Sequence, residues 1–507
     1  MIPLPSRISQ LSLLLAGLAL AHAPTARAAV KLPSILSDHA VLQRDAPIHL
    51  WGWAEPGETV TLTFRAQQRS AVADRLGHWE TYLAPEHAGG PYELRFAAAN
   101  TIVLSDILIG DVWLASGQSN MEMPLEGFPG NAVLKNAAQE IATADQPNIR
   151  LLLIGHNTSN YPLRDQPATW TLCTPGTATK FSAVAYLFGR EIQQREHVPI
   201  GLIDSTWGGS PAETWISLDA ISADASLMPV FAVWSARADG YEDLPPLIKA
   251  EEREDAEAKQ AGRPPVEHPW HPNLDSHRPA ALFNAMIAPA TPFAIKGVIW
   301  YQGETNAGPD RNHLYQRVFS TLITDWRSQW QLGNFPFLFV QISSWEDHSG
   351  GAWGTLRDQQ RRALDLTNTA MAVSLDVGDA TNIHPSDKQT VAARLALAAR
   401  ALAYGEAVEY SGPLFRQATV EGTGMRVWFN HTGGKLVSNS PALGGFEVAG
   451  EDRHFVAATA RIEGDTVFAS SPQVAQSRYV RYAWADVPDA TLFNAAGLPA
   501  STFTSEF

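Results

Sequence analysis

From about Ser105 to Gly405 the chain alternates short apolar runs with longer amphipathic stretches, and this alternation limits its fold more than any other feature. Runs of strand length fall at Val112–Ala115, Ile149–Ile154, Ile200–Ile203, Val298–Tyr301, Phe337–Ile342 and Met371–Leu375. Helical patterns lie between them at Phe181–Arg195, His313–Trp330 and Asp387–Tyr404, the last with Gly405 as its stop signal. Strands apolar throughout, separated by helices, predict an α/β domain over 105–405: a mainly parallel sheet with helices on both faces.

A chain of 507 residues is too long for one ordinary core, and its flanks read differently from its middle. Over 29–104, Ile48–Trp53 and Val60–Phe64 alternate around a turn at Ala54–Glu58, which predicts a small β-sandwich. Over 406–507, runs such as Met425–Phe429 and Tyr479–Trp484 predict a second β-rich segment, either a domain of its own or a completion of the first. An insertion around 232–279 breaks the α/β pattern. Its charge run from Lys249 to Lys259 reads as an exposed helix, and the His/Pro/Trp-rich tract after it as an irregular loop. The sharper alternative is a lid over a site.

Residues 1–28 read as a signal peptide. Arg7 precedes an apolar run from Leu11 to Leu20, and Ala26-Arg27-Ala28 offers a small-residue cleavage site, preferred to a cut after Ala23 that would leave Pro24 first. The apolar run is too short to span a membrane, so the mature chain is expected to be exported, periplasmic or secreted, with no membrane association. Loss of Arg7 and Arg27 takes the formal charge from −15 to −17. An acidic surface argues against nucleic acid and suits a neutral partner such as a polysaccharide. The 16 Trp serve either as stacking platforms for sugars or, more commonly, as core. Cys173 is the only cysteine, so no internal disulfide forms, and its apolar neighbours mark it as a core residue.

Polar motifs sit after four of the predicted strands. Gly117-Gln118-Ser119-Asn120-Met121 follows Val112–Ala115 and puts a hydroxyl where open α/β sheets place their ligands. Trp207-Gly208-Gly209-Ser210 follows Ile200–Ile203, and its glycines let a backbone N–H approach a reacting oxygen. Gln302-Gly303-Glu304-Thr305-Asn306 follows Val298–Tyr301; the Gln302 amide can donate to an oxyanion, and Glu304 either orients a histidine or pairs with Arg311. Asn382-Ile383-His384-Pro385 precedes the last helix and supplies a base. Each motif alone is a turn or a cap. Together they fit acyl transfer, with His384 taking the proton from Ser119 Oγ.

These motifs resemble those of the sialate O-acetylesterase family within the SGNH hydrolases. Further matches are Ser37–Arg44, Trp51–Ala54, Phe181–Tyr186, Trp353 with Arg357 and Gln359, and Ala401–Glu406. The resemblance implies an SGNH-type fold and removal of O-acetyl groups from sugars without a metal or organic cofactor. It implies Ser119 as nucleophile, His384 as general base, and an oxyanion hole from the N–H groups of Ser119 and of Gly208 or Gly209, helped by Gln302. Gly208 is preferred, standing two residues before Ser210 as SGNH glycines tend to stand before Ser or Thr. One position departs from the pattern: many SGNH hydrolases carry Asp three residues before the histidine, where this chain has Thr381. The orienting acid is then Glu304, Asp376, Asp379 or Asp387, or else a Ser-His dyad is steadied by a backbone carbonyl. The rival readings are an esterase for other short acyl esters and a non-catalytic carbohydrate-binding protein.

Overall fold

The computed structural model describes residues 29–506 apart from Pro129, 241–243, Pro265, Glu267, Pro269, Trp270, Pro272 and 348–351. The expected signal peptide lies outside the described residues. Among those residues no helix is long and apolar enough to cross a membrane.

The predicted apolar runs become the strands of the main sheet. We label these β1 (Thr101–Gly117), β2 (Gln146–Leu153), β3 (Trp170–Cys173), β4 (Ile200–Thr206), β5 (Gly297–Tyr301), β6 (Phe337–Gln341) and β7 (Thr369–Val373). They run in the order β7-β6-β5-β1-β4-β2-β3. All neighbours are parallel except the short edge strand β3, which is antiparallel to β2. Helices α1 (Ser119–Glu122), α2 (Ala183–Glu196), α3 (Tyr315–Trp330), α4 (Trp353–Arg362) and α5 (Lys388–Leu402) surround it. Trp113 of β1 meets Phe188 of α2 on one face, and Trp300, Phe337 and Phe339 meet Phe319 of α3 on the other. The sheet is therefore covered on both faces, as its continuous apolar strands require.

Register fixes where a site can form. Gly117 at the end of β1 pairs with Thr206 of β4 on one side and with Tyr301 of β5 on the other. The chain passes from β4 to β5 across β1, so the order reverses there and a crevice opens at the carboxyl ends of these three strands.

The seventeen-residue β1 also joins two regions. Its first half pairs with Gly89–Ala97 and Val41–Gln43, continuing a sheet that includes Thr59–Phe64 and Gln67–Val72. The pair Ile48–Trp53 and His78–Leu83 faces that sheet, with Trp79 against Phe96. The result is the sandwich-like arrangement read from the alternating runs.

After Gly405 the chain forms further antiparallel sheets of its own, and among the described residues none of their strands pairs with the N-terminal ones. They seat instead on α4 and β6. The fully buried Arg357 donates to Ile342 O and Ser343 O on one side and to Ala485 O and Asp486 O on the other. Among the described residues nine of the 16 tryptophans are buried, and Trp79, Trp113, Trp170, Trp215, Trp300, Trp326 and Trp353 among them are essentially inaccessible. Cys173 is likewise buried, and burial pushes its thiol up to about 12, out of the reactive range. The charge run of the insertion lies on a largely exposed helix, Leu244–Gln260, whose Glu251 and Asp255 pair with His268 and His271 of the tract that follows.

Candidate active site

The nucleophile candidate is held by its neighbours before it does anything. At Gly117, φ is +135° and an added Cβ would lie 2.2 Å from Tyr301 O, so only glycine lets β1 end so close to β5. Ser119 opens the short helix α1 directly afterwards. Ser182 caps α2 by accepting from Ala185 N and donates its hydroxyl to Met121 O at 2.6 Å, which braces α1 from behind.

His384 arrives on the loop between β7 and α5, and its Nε2 lies 2.8 Å from Ser119 Oγ. Asn382 Oδ1 accepts the His384 backbone N–H at 2.9 Å, and the Phe128 ring meets the imidazole edge-on at 5.1 Å. Burial and the nearby Lys388 ammonium push the imidazole down to about 4. It is therefore neutral near pH 7 and able to accept a proton.

None of the four acids considered from the sequence touches that imidazole. Asp376 is bidentate to Arg394, Asp379 accepts from Thr381, and Asp387 caps α5 at Thr390 N while pairing with Lys135. Glu304 Oε1 accepts from Asn120 Nδ2 at 2.6 Å, not from His384. His384 Nδ1 meets an amide instead: Asn131 Oδ1, at 3.4 Å.

Glu304 belongs to a buried network that sequence reasoning missed. Asn120 Nδ2 also donates to Ile383 O at 3.0 Å, one residue before His384, and Asn120 Oδ1 accepts from Lys388 Nζ at 2.5 Å. Burial raises the Glu304 carboxyl above its ordinary value and lowers the Lys388 ammonium to about 7. One asparagine thus ties the Ser119 turn to the His384 loop, with a carboxylate and an ammonium behind it. Arg311, the other partner considered for Glu304, pairs with Glu213 instead.

The oxyanion side also differs from expectation. Gln302 is fully buried; its Nε2 donates to Asn306 Oδ1 at 2.7 Å and Ser210 O at 3.3 Å, and its Oε1 accepts from Tyr315 OH. With both amide hydrogens engaged, Gln302 braces the end of β5 and has none left for an oxyanion. Gly208 does lie beside the serine, since an added Cβ would come 3.3 Å from Ser119 Cβ. Its N–H, however, donates to Glu122 Oε2 at 2.6 Å. Gly209 follows with φ +72°, a left-handed turn that favours glycine. A separate cleft of about 590 Å3 between the N-terminal strands and the α/β region holds none of these motifs. Among the described residues no cluster of His, Cys, Asp and Glu could hold a metal.

A family model described as a carbohydrate esterase, sialic acid-specific acetylesterase, matches residues 265–403, which carry Gln302, Glu304 and His384 but not Ser119. The sialate O-acetylesterase of Mus musculus is 33% identical over 427 residues, covering 76% of this chain and 75% of its own length. The chain belongs to the sialate O-acetylesterase family. The Homo sapiens member is 33% identical over 425 residues, covering 76% of this chain and 73% of its own. A carbohydrate acetylesterase from Xanthomonas citri has a solved structure that superposes with a TM-score of 0.80 at 35% identity, covering 94% of this chain and all of that one. The α/β core with its strand-rich flanks is thus the architecture of a carbohydrate esterase, and this sialate O-acetylesterase family member is a hydrolase.

Proposed function

We propose that this protein is an exported serine esterase that removes O-acetyl groups from carbohydrate through an acetyl-serine intermediate. The 2.8 Å contact between Ser119 Oγ and a neutral His384 Nε2 carries the reading. Ser119 Oγ attacks the acetyl carbonyl carbon as His384 takes its proton, and the negative charge collects on the carbonyl oxygen near the Ser119 N–H. The tetrahedral species collapses, the bond from the acetyl carbon to the sugar oxygen breaks, and His384 returns its proton to that oxygen. Water then gives a proton to His384 and attacks the acetyl-serine, releasing acetate and restoring Ser119. Asn131 takes the place of an acid on His384 Nδ1, making a Ser-His pair oriented by an amide. Such a pair retains catalysis because oxyanion stabilisation supplies much of the rate.

Residues 1–28 serve as the export signal, 29–104 as a β-domain, 105–405 as the catalytic domain and 406–507 as a C-terminal β-rich segment. The charge of −17 after removal of the signal favours a neutral acetylated glycan over an anionic sialoside. Purified protein should release acetate from an acetylated polysaccharide, and Ser119→Ala should abolish turnover of an aryl acetate while the fold stays intact. Wild-type turnover by that variant would refute the assignment. Binding of the polysaccharide without release of acetate would identify a carbohydrate-binding module instead.

A further inference from the structure

Glu122 stands three residues after Ser119 on the same helical turn, so its side chain leans back beside the serine. One carboxylate oxygen holds the Gly208 N–H at 2.6 Å, and the other lies 2.7 Å from His156 Nε2. The His156 ring is stacked on Trp207 at 4.2 Å and 5°, immediately before Gly208. Glu122 is 24% and His156 44% exposed, so this corner opens to solvent.

A carboxylate oxygen accepting the N–H beside the nucleophile sits as a developing oxyanion would sit. The two cannot share that N–H, because each needs the same hydrogen along the same direction. Glu122 therefore has to leave before an acyl oxygen can enter, and it leaves readily only for other donors. Sugar hydroxyls are such donors, and the His156–Trp207 stack is a flat aromatic wall of the kind on which a sugar ring rests. An ester without hydroxyls offers Glu122 nothing in exchange.

Resting on the esterase reading above, we propose that Glu122, His156 and Trp207 form the subsite for the sugar that carries the acetyl group. Glu122 blocks the Gly208 N–H until free hydroxyls of that sugar draw it away. The gate makes the site selective for polyol esters over simple ones. It assigns Glu122 a specificity role, separate from the proton transfer between Ser119 and His384.

The test compares wild type and Glu122→Ala on three esters: an aryl acetate, a mono-O-acetylated hexose and the peracetylated hexose, which has the ring but no hydroxyls. The variant should gain about tenfold or more in kcat/KM on the aryl acetate and the peracetate, and lose about tenfold or more on the mono-acetyl sugar, the worth of one charge-assisted hydrogen bond in each direction. His156→Ala, which removes the other partner of Glu122 and part of the aromatic wall, should lower the rate on the mono-acetyl sugar more than on the peracetate, and on the peracetate more than on the aryl acetate. Equal losses on all three esters, or no change on any, would overturn the proposal, as would a peracetate that behaves like the mono-acetyl sugar. If Glu122→Ala does not fold, Glu122→Gln should shift the three rates in the same directions by a smaller factor, and parallel losses would refute the gate. Ser119→Ala run alongside separates the two readings: its inactivity on every ester upholds the serine mechanism whatever Glu122 does.

Discussion

The ends of β1 and β5 are adjacent, parallel and in register at Gly117 and Tyr301, and each runs into a glycine-containing polar motif. They differ in where the side chains point. Beyond β1, Ser119 is partly exposed and its hydroxyl faces His384 across the crevice. Beyond β5, Gln302 is wholly buried with both amide hydrogens bonded, and Glu304 is bonded to Asn120. A polar residue at the carboxyl end of a parallel strand is thus only a candidate. The proposed mechanism gives the chemistry to the one with an atom left facing the crevice, and the neighbouring motif bonds to the turn that carries it.

This contrast is open to attack from both sides. The largest expected effect is at the β1 end: Ser119→Ala or His384→Ala should lower kcat on an aryl acetate by about 10^4-fold or more, as loss of a nucleophile or its base does. Comparable losses from Gln302 variants would erase the distinction. Next comes the tie between the two loops. Glu304→Gln leaves Lys388 without its counter-charge and loosens Asn120, so kcat should fall by about tenfold to a hundredfold through misplacement of Ser119 and His384. A loss as deep as that of Ser119→Ala would show Glu304 acting directly.

A third test uses pH. The folded His384 lies below its ordinary value, at about 4, and the proposed mechanism makes the neutral imidazole the active form. Activity should therefore persist as pH falls from 7 to 5, and kcat/KM for an uncharged ester should be halved near about 4. A midpoint near the unperturbed histidine value of about 6.5 would mean that burial does not act on His384 as described. The smallest effect on turnover is expected at Gln302. Gln302→Met strands the Asn306 and Tyr315 partners and should cost about 1–3 kcal/mol of stability, seen in the melting temperature. Its kcat/KM should stay within about threefold of wild type, whereas removing an oxyanion donor costs about 10^2-fold to 10^3-fold.

The sheet was legible because a strand buried on both faces must be apolar throughout, and Val112–Ala115, Val298–Tyr301 and Phe337–Ile342 are. The Ser119–His384 contact was legible because candidates for a nucleophile and its base come from a short menu of residue types, and the two side chains do meet at 2.8 Å. The supporting residues were not. Lys388 is the first residue of α5 and reads as a solvated lysine, yet it is fully buried over Asn120 and Tyr301. Asn131 sits in a loop more than 250 positions from His384, and no spacing rule links the two. The missing aspartate at position 381 was visible in the sequence, whereas the amide of Asn131 3.4 Å from His384 Nδ1 was visible only in three dimensions. Gln302 and Glu304 bond to other partners than those expected for one reason: composition shows that a strand end is polar and not which way it faces.

Acetyl transfer to Ser119 is the step on which the proposed mechanism turns. The direct measurement is peptide mass spectrometry of protein quenched in acid during turnover of an acetyl ester, with His384→Ala included because loss of the base should slow both formation and hydrolysis of the intermediate. The account predicts one added acetyl group on the peptide containing Ser119, absent from Ser119→Ala. Steady turnover with the acetyl group on another residue, or undiminished turnover by Ser119→Ala, would contradict it.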